Sequence, residues 1–140
     1  MDDVRVLEDA AAVEVALDPI RASILRALDE PASAATIAAA VGLTRQKANY
    51  HLRALESHGL VELAEERAWG GITERLLRRT ARHLVVAPDV LQGAPLEPEA
   101  VADRLSSAYL VAVSARTVSE VGAIASRETG RRRIPTLTLD

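Results

Sequence analysis

The chain contains no cysteine and no phenylalanine, and aromatic residues make up only 2% of its 140 positions. Without cysteine, disulfides, thiol redox sensing and thiolate metal sites are excluded. With so few aromatics, the packing must come from Leu, Val, Ile and Ala, and an apolar fraction of 49% is enough for a core. Alanine is a strong helix former, so a mainly helical fold is expected. No run approaches the ~18 consecutive apolar residues of a membrane-spanning helix. No basic-then-apolar signal segment opens the chain, and a soluble cytoplasmic protein is expected. Ser/His/Asp spacing, a phosphate-cradling glycine loop and a suggestive carboxylate pair are also missing, so no enzymatic activity and no cofactor are expected.

The net charge of −3, taken alone, argues against a nucleic-acid partner. Its distribution answers the objection. Residues 1–44 hold three Arg and eight acids, residues 45–82 hold seven Arg, one Lys and five acids, and residues 83–140 hold six Arg and seven acids. The positive middle segment can orient an acidic protein on DNA.

That segment begins with Thr44 to Gly59, TRQKANYHLRALESHG. At about 100° per residue, Ala48, Leu52 and Leu55 form one core-facing stripe. Arg45, Gln46, Lys47, Asn49, Tyr50 and Arg53 occupy the rest of the surface. Thr44 suits the N-cap, and Gly59 suits the left-handed residue past the end. Such a helix fits the DNA major groove, where Arg, Asn and Gln read base edges. Upstream, Ser33 to Leu43 predicts a short helix capped by Ser33, with Ile37 and Val41 on one face and Gly42 ending it. Two helices joined by so tight a turn make a helix-turn-helix. Downstream, Leu60 to Glu65 and Ile72 to Arg79 read as strands around a loop with Trp69, Gly70 and Gly71, a β-hairpin. The order is that of a winged helix.

The residues Asp18-Pro19-Ile20-Arg21 with Ile24-Leu25, then Tyr50-His51-Leu52 with Leu55, then Gly59-Leu60-Val61, carry a resemblance. From Leu17 to Arg82 the sequence resembles the ArsR-type winged-helix transcriptional regulators of bacteria. Many of these sense metals through cysteines, a route closed here. The three histidines do not replace it. His51 and His58 are seven apart and lack the i, i+4 geometry of a helical metal pair, so bonds to backbone or phosphate are expected of them. His83 stands alone. No metal site is expected.

Asp2 to Leu17 reads as a helix with Ala10, Val13 and Leu17 on one side. Asp18 caps the next helix, with Pro19 in its first turn and Ile20, Ile24 and Leu28 as its buried row. His83 to Ala87 reads as a further extended piece. Pro88, Gly93, Pro95 and Pro98 mark a connector. A long helix is then expected from Pro98 to about Glu128, stopped by Gly130. Val101, Leu105, Ala108, Ala112, Ala115 and Ser119 share one stripe on it, and Leu110, Val113, Thr117, Val121 and Ile124 a second. Only Arg116, Glu120 and Arg127 form a charged ridge. A surface helix needs one buried face, so the first stripe is expected to form a dimer interface; the alternative is cover by the same chain. The tail after Gly130 offers Arg131–Arg133 as a solvated run, a second DNA contact or an anionic-ligand clamp. It ends without a closing element, as a piece of something longer would.

The expected architecture is therefore mainly α (α+β). Residues 1–87 form a winged helix-turn-helix domain, and residues 88–140 a connector, dimerisation helix and tail. The expected function is that of a homodimeric, sequence-specific DNA-binding repressor reading an inverted repeat, with a small-molecule effector as a further partner and no membrane. The alternative is a winged-helix protein-interaction module, whose helix face would be apolar. The expected DNA contacts are Thr44, Arg45, Gln46, Asn49, Tyr50 and Arg53 from the helix and Arg67 and Arg75 from the wing, with Trp69 bracing its loop.

Overall fold

The computed structural model describes residues 1–92 and 97–128, and gives only the backbone of Trp69, Leu91, Gln92, Ser126 and Glu128. The expectations placed on Gly93, Pro95, Gly130, the Arg131–Arg133 run and the Trp69 side chain lie outside what is described. The chain divides into two compact units, residues 1–85 and 86–140.

The first unit opens with a strand, β1 (Asp2–Leu7), where a helix was expected. Helix α1 (Ala10–Leu17) begins only after Asp9, whose carboxylate accepts the Ala12 N–H at 3.0 Å. A side chain that caps a helix fixes its start, and the β-branched Val4 and Val6 before it suit a strand. Ala12, Val13 and Val15 turn inward, while Leu17 is 66% exposed. Helix α2 (Pro19–Ala27) starts where Asp18 accepts the Arg21 N–H, with Pro19 in its first turn. Ile24, Leu25 and Leu28 are buried, but Ile20 stands outside that row at 41% exposure.

A two-residue strand, β2 (Ala32–Ser33), leads into α3 (Ala34–Val41), capped by Ser33 through the Thr36 N–H. Gly42 ends α3 at φ 70°. A side chain there would be strained, which keeps the turn into α4 (Arg45–Ser57) short. The hairpin pairs β3 (Val61–Trp69) with β4 (Ile72–Arg79), so Trp69 belongs to the strand and the turn is Gly70-Gly71 alone. Both turn residues have positive φ, 55° and 81°, the requirement of a tight two-residue hairpin connection. The sheet order is β2-β4-β3, with a register shift between Leu63 and Glu65. β5 (Ala81–Val86) pairs with β1 in a separate two-stranded sheet. The core, centred on Ile24, Leu28, Ile37, Leu52, Leu55, Leu60 and Val61, is aliphatic throughout.

The second unit holds α5 (Pro88–Gln92), a 3-10 turn (Pro98–Ala100) and α6 (Ser107–Glu128). The long helix is therefore shorter than expected, because it starts late, behind polar side chains that take up the backbone N–H groups at its N-terminus. Ser106 accepts the Tyr109 N–H, and Asp103 accepts the Leu105 N–H, so the chain up to residue 106 is bend and turn, not helix. Val101 and Leu105 thus lie before α6, with Leu105 96% exposed. The small-residue stripe assigned to a dimer is partly covered by its own chain. Ala112 and Ala115 are buried. Ser119, on the same stripe, donates to the Asp89 carboxylate of α5 at 2.9 Å, and both α5 and the 3-10 turn pack on α6. Ala108 remains exposed. The second stripe is the open one, with Leu110 64%, Val121 54% and Ile124 48% exposed. By length and composition, Ser107–Ala125 could cross a membrane.

Candidate nucleic-acid interface

Helix α4 is fastened from behind and free in front. Ala48, Leu52 and Leu55 are fully buried against the core, as their spacing predicts. Thr44 closes the start by accepting the Lys47 N–H at 3.2 Å. His51 faces the start of α2. Its charge and that of Arg21 both act on Asp18, whose carboxyl lies below its ordinary value chiefly because it accepts the Arg21 backbone N–H. Arg21 Nε and His51 Nδ1 are buried there without a hydrogen-bond partner among the described residues.

The far end is held by groups the sequence did not flag. Gly59 O accepts from Thr80 Oγ1 at 2.8 Å and from the Arg5 guanidinium of β1. The Leu60 N–H reaches back to Leu55 O at 2.9 Å, and His58 Nδ1 donates to Ala54 O at 2.9 Å. Arg5 stands far from α4 in sequence, and only its place between Val4 and Val6 in a strand could have hinted at an inward side chain.

The front carries the expected residues. Thr44, Arg45, Gln46, Asn49, Tyr50 and Arg53 are all exposed. All but Thr44 line one shallow surface groove along the helix, joined by Ala54 and Ser57. The Tyr50 ring, 66% exposed, stands edge-on to the His51 imidazole at 5.2 Å. Among the described residues no carboxylate pairs with Arg45, Lys47 or Arg53. The surface thus offers amide, guanidinium and phenol donors, the groups that read base edges and hold phosphate.

The wing differs. Arg67 grips Glu65 with two bonds, Nε–Oε1 at 3.0 Å and Nη2–Oε2 at 3.1 Å. That pairing lowers the Glu65 carboxyl and raises the Arg67 guanidinium from their ordinary values. Arg75 reaches across to helix α4 and donates to Glu56 at 2.7 Å. Arg78 pairs with Glu62 and Arg79 with Asp29, each at 2.8 Å. The hairpin carries glutamates enough to take its own arginines, and Arg67–Glu65 is such a self-pairing. The Arg75–Glu56 pair was not foreseen.

Two helices joined at a left-handed glycine, followed by an antiparallel hairpin, define a winged helix-turn-helix. Residues 16–64 match the family model described as a helix-turn-helix domain. Among solved structures, the chain is similar to NolR from Sinorhizobium fredii, with 21% identity over 59% of this chain and 73% of that one, at a TM-score of 0.43. It is also similar to the homodimeric winged helix-turn-helix DNA-binding domain of Mb0332 from Mycobacterium bovis, described as a possible ArsR-family transcriptional regulator. That match has 22% identity, covers 89% of this chain and 86% of that one, and has a TM-score of 0.43. No curated protein matches the chain.

Proposed function

We propose that this protein is a sequence-specific, DNA-binding transcriptional regulator of the ArsR type, acting as a homodimeric repressor on an inverted repeat in the cytoplasm. The observation that carries this reading is the exposed front of α4, which combines Arg45, Gln46, Asn49, Tyr50 and Arg53, with no pairing carboxylate among the described residues, and sits on a helix-turn-helix. A protein-interaction module would present apolar side chains there. One such helix makes too few base contacts to select a site in a genome, so two copies are required.

The open stripe of α6, with Leu110, Val121 and Ile124, supplies the means to pair them. A second copy suits this face better than a lipid bilayer. Arg116 and Glu120 lie in the middle of the helix, linked to each other at 2.8 Å, and charge near a bilayer midplane costs several kcal/mol. The stripe to test is thus the open one, because a large residue at Ala112 would disturb the packing inside the unit.

Capture and sequencing of genomic fragments on the protein should enrich an inverted repeat with half-sites about one helical turn apart, on the order of 34–36 Å. In sedimentation, wild type should run as a dimer, and Val121→Arg as a monomer with much weaker operator binding. A wild type that is monomeric at micromolar concentration yet binds its operator tightly removes the dimer from the model. Failure to enrich any fragment removes the DNA-binding reading itself.

A further inference from the structure

The wing's guanidiniums are occupied before any DNA arrives. Between Val61 and Arg79 stand four arginines and four glutamates, a net charge of zero. Arg67, Arg75, Arg78 and Arg79 each hold a carboxylate in the structure. Most of these partners lie on the wing itself or, for Arg79, at Asp29 before β2. Glu56 is different, because it belongs to the last turn of α4 and ties the wing to the recognition helix. It stands three residues after Arg53, close enough on a helix to pair with it, yet it bonds Arg75 and leaves Arg53 without an ion partner among the described residues. The Glu56 carboxylate is 31% exposed and Arg75 47%, so a phosphate can reach the same guanidinium.

We propose that Glu56 is a specificity-determining residue: it holds Arg75 as an internal counterpart of a DNA phosphate, and the wing engages DNA only where that carboxylate is displaced. This rests on the DNA-binding reading above. A guanidinium already paired adds little to the counterion release that drives non-specific binding, whereas a free one adds about one ion's worth. On mixed-sequence DNA the wing is therefore nearly neutral. On a fitted operator, the recognition helix brings a phosphate to Arg75 at high local concentration, and the exchange becomes favourable. Glu56 thereby widens the gap between operator and random DNA.

The test is a double-mutant cycle of Glu56→Gln and Arg75→Ala, read by the salt dependence of binding to a short labelled duplex of mixed sequence. Glu56→Gln should bind that duplex roughly three- to tenfold more tightly at low salt, with a slope of log K against log salt steeper by about 0.9. Misfolding cannot produce such a gain. Arg75→Ala should then cost more, and flatten the slope more, in the Glu56→Gln background than in wild type. Glu65→Gln, which releases Arg67, should act in the same direction as an independent check. Equal costs of Arg75→Ala in both backgrounds would mean that Glu56 acts only as one more negative charge, and would overturn the proposal while leaving DNA binding intact. Absence of binding by wild type and every variant, on operator and mixed DNA alike, would overturn both.

Discussion

Helix α4 and the wing lie side by side in the positive third of the chain, yet they treat their charges in opposite ways. From Arg45 to Arg53 there are three cations and no acid, and the structure leaves those cations without ion partners among the described residues. From Val61 to Arg79 every arginine holds a carboxylate. The density of acids around the hairpin and, in part, its register explain the difference. The register sets Glu62 opposite Arg78, which pair across the strands, and gives Arg67 and Arg75 acidic neighbours in Glu74 and Glu66, although these two arginines bond Glu65 and Glu56 instead. On the helix, the residues four beyond Arg45, Lys47 and Arg53 are Asn49, His51 and Ser57, none of them acidic. A sum of formal charges would rank both elements as basic. Only pairing separates a surface ready for phosphate from one already balanced.

The largest effect expected from breaking this contrast lies beneath the helix rather than on it. Leu52→Ala empties a fully buried position under α4 and should destabilise the domain by about 2–5 kcal/mol in chemical denaturation. The front of the helix loses its footing at the same time. A cost below ~1 kcal/mol, the range of an exposed surface change, would mean that α4 is not anchored as described. Next in size is the contrast in DNA binding itself. Arg45→Ala should cost about 1–3 kcal/mol of discrimination at one operator position, the worth of a good base contact. Arg67→Ala should cost less than ~1 kcal/mol, because it removes an exposed, self-paired guanidinium. Binding isotherms of both variants on operator and mixed DNA check the order. If Arg67→Ala proved the more damaging, the wing would be the primary contact and the contrast between helix and wing would invert.

Sequence patterning located the helix-turn-helix because caps and spacing are local. Thr44, Ser33, Asp18 and Gly42 act within a few residues of themselves, and all four stand where the pattern placed them. The exposed front of α4 was legible for the same reason. Long-range effects were not. β1 exists because it pairs with β5, nearly the full length of the first unit away. Arg5 reaches Gly59 and Arg75 reaches Glu56 only once the chain has folded. In the second unit, both stripes of α6 were visible, but which one the chain would cover depended on α5, a helix of only five residues with no periodicity to announce it. Composition could not decide that question, since small residues suit either a neighbour in the same chain or one in another.

The smallest effect expected sharpens the contrast on the acidic side. Asp18 and Glu65 both have carboxyls held below their ordinary values, for different reasons. At Asp18 the leading cause is the Arg21 backbone N–H, and at Glu65 it is the Arg67 side chain. A carboxyl depressed in the folded state contributes stability that is complete above its unfolded pKa, about 3.9 for Asp. That contribution is lost as pH falls through the lower folded value. Both contributions therefore belong to neutral pH and disappear in acid below about pH 4. Asn is as good an N-cap as Asp but does not titrate. Asp18→Asn should thus keep most of the thermal midpoint at pH 7 and lose less of it on acidification than wild type does. Glu65→Gln loses its ion pair at every pH, and its midpoint should change little even at pH 7, because an exposed pair contributes little. Thermal melts from pH 7 down through the acid limb distinguish the two. An acid limb identical in wild type and Asp18→Asn would show that the Asp18 carboxylate does not secure the helix standing behind the recognition surface.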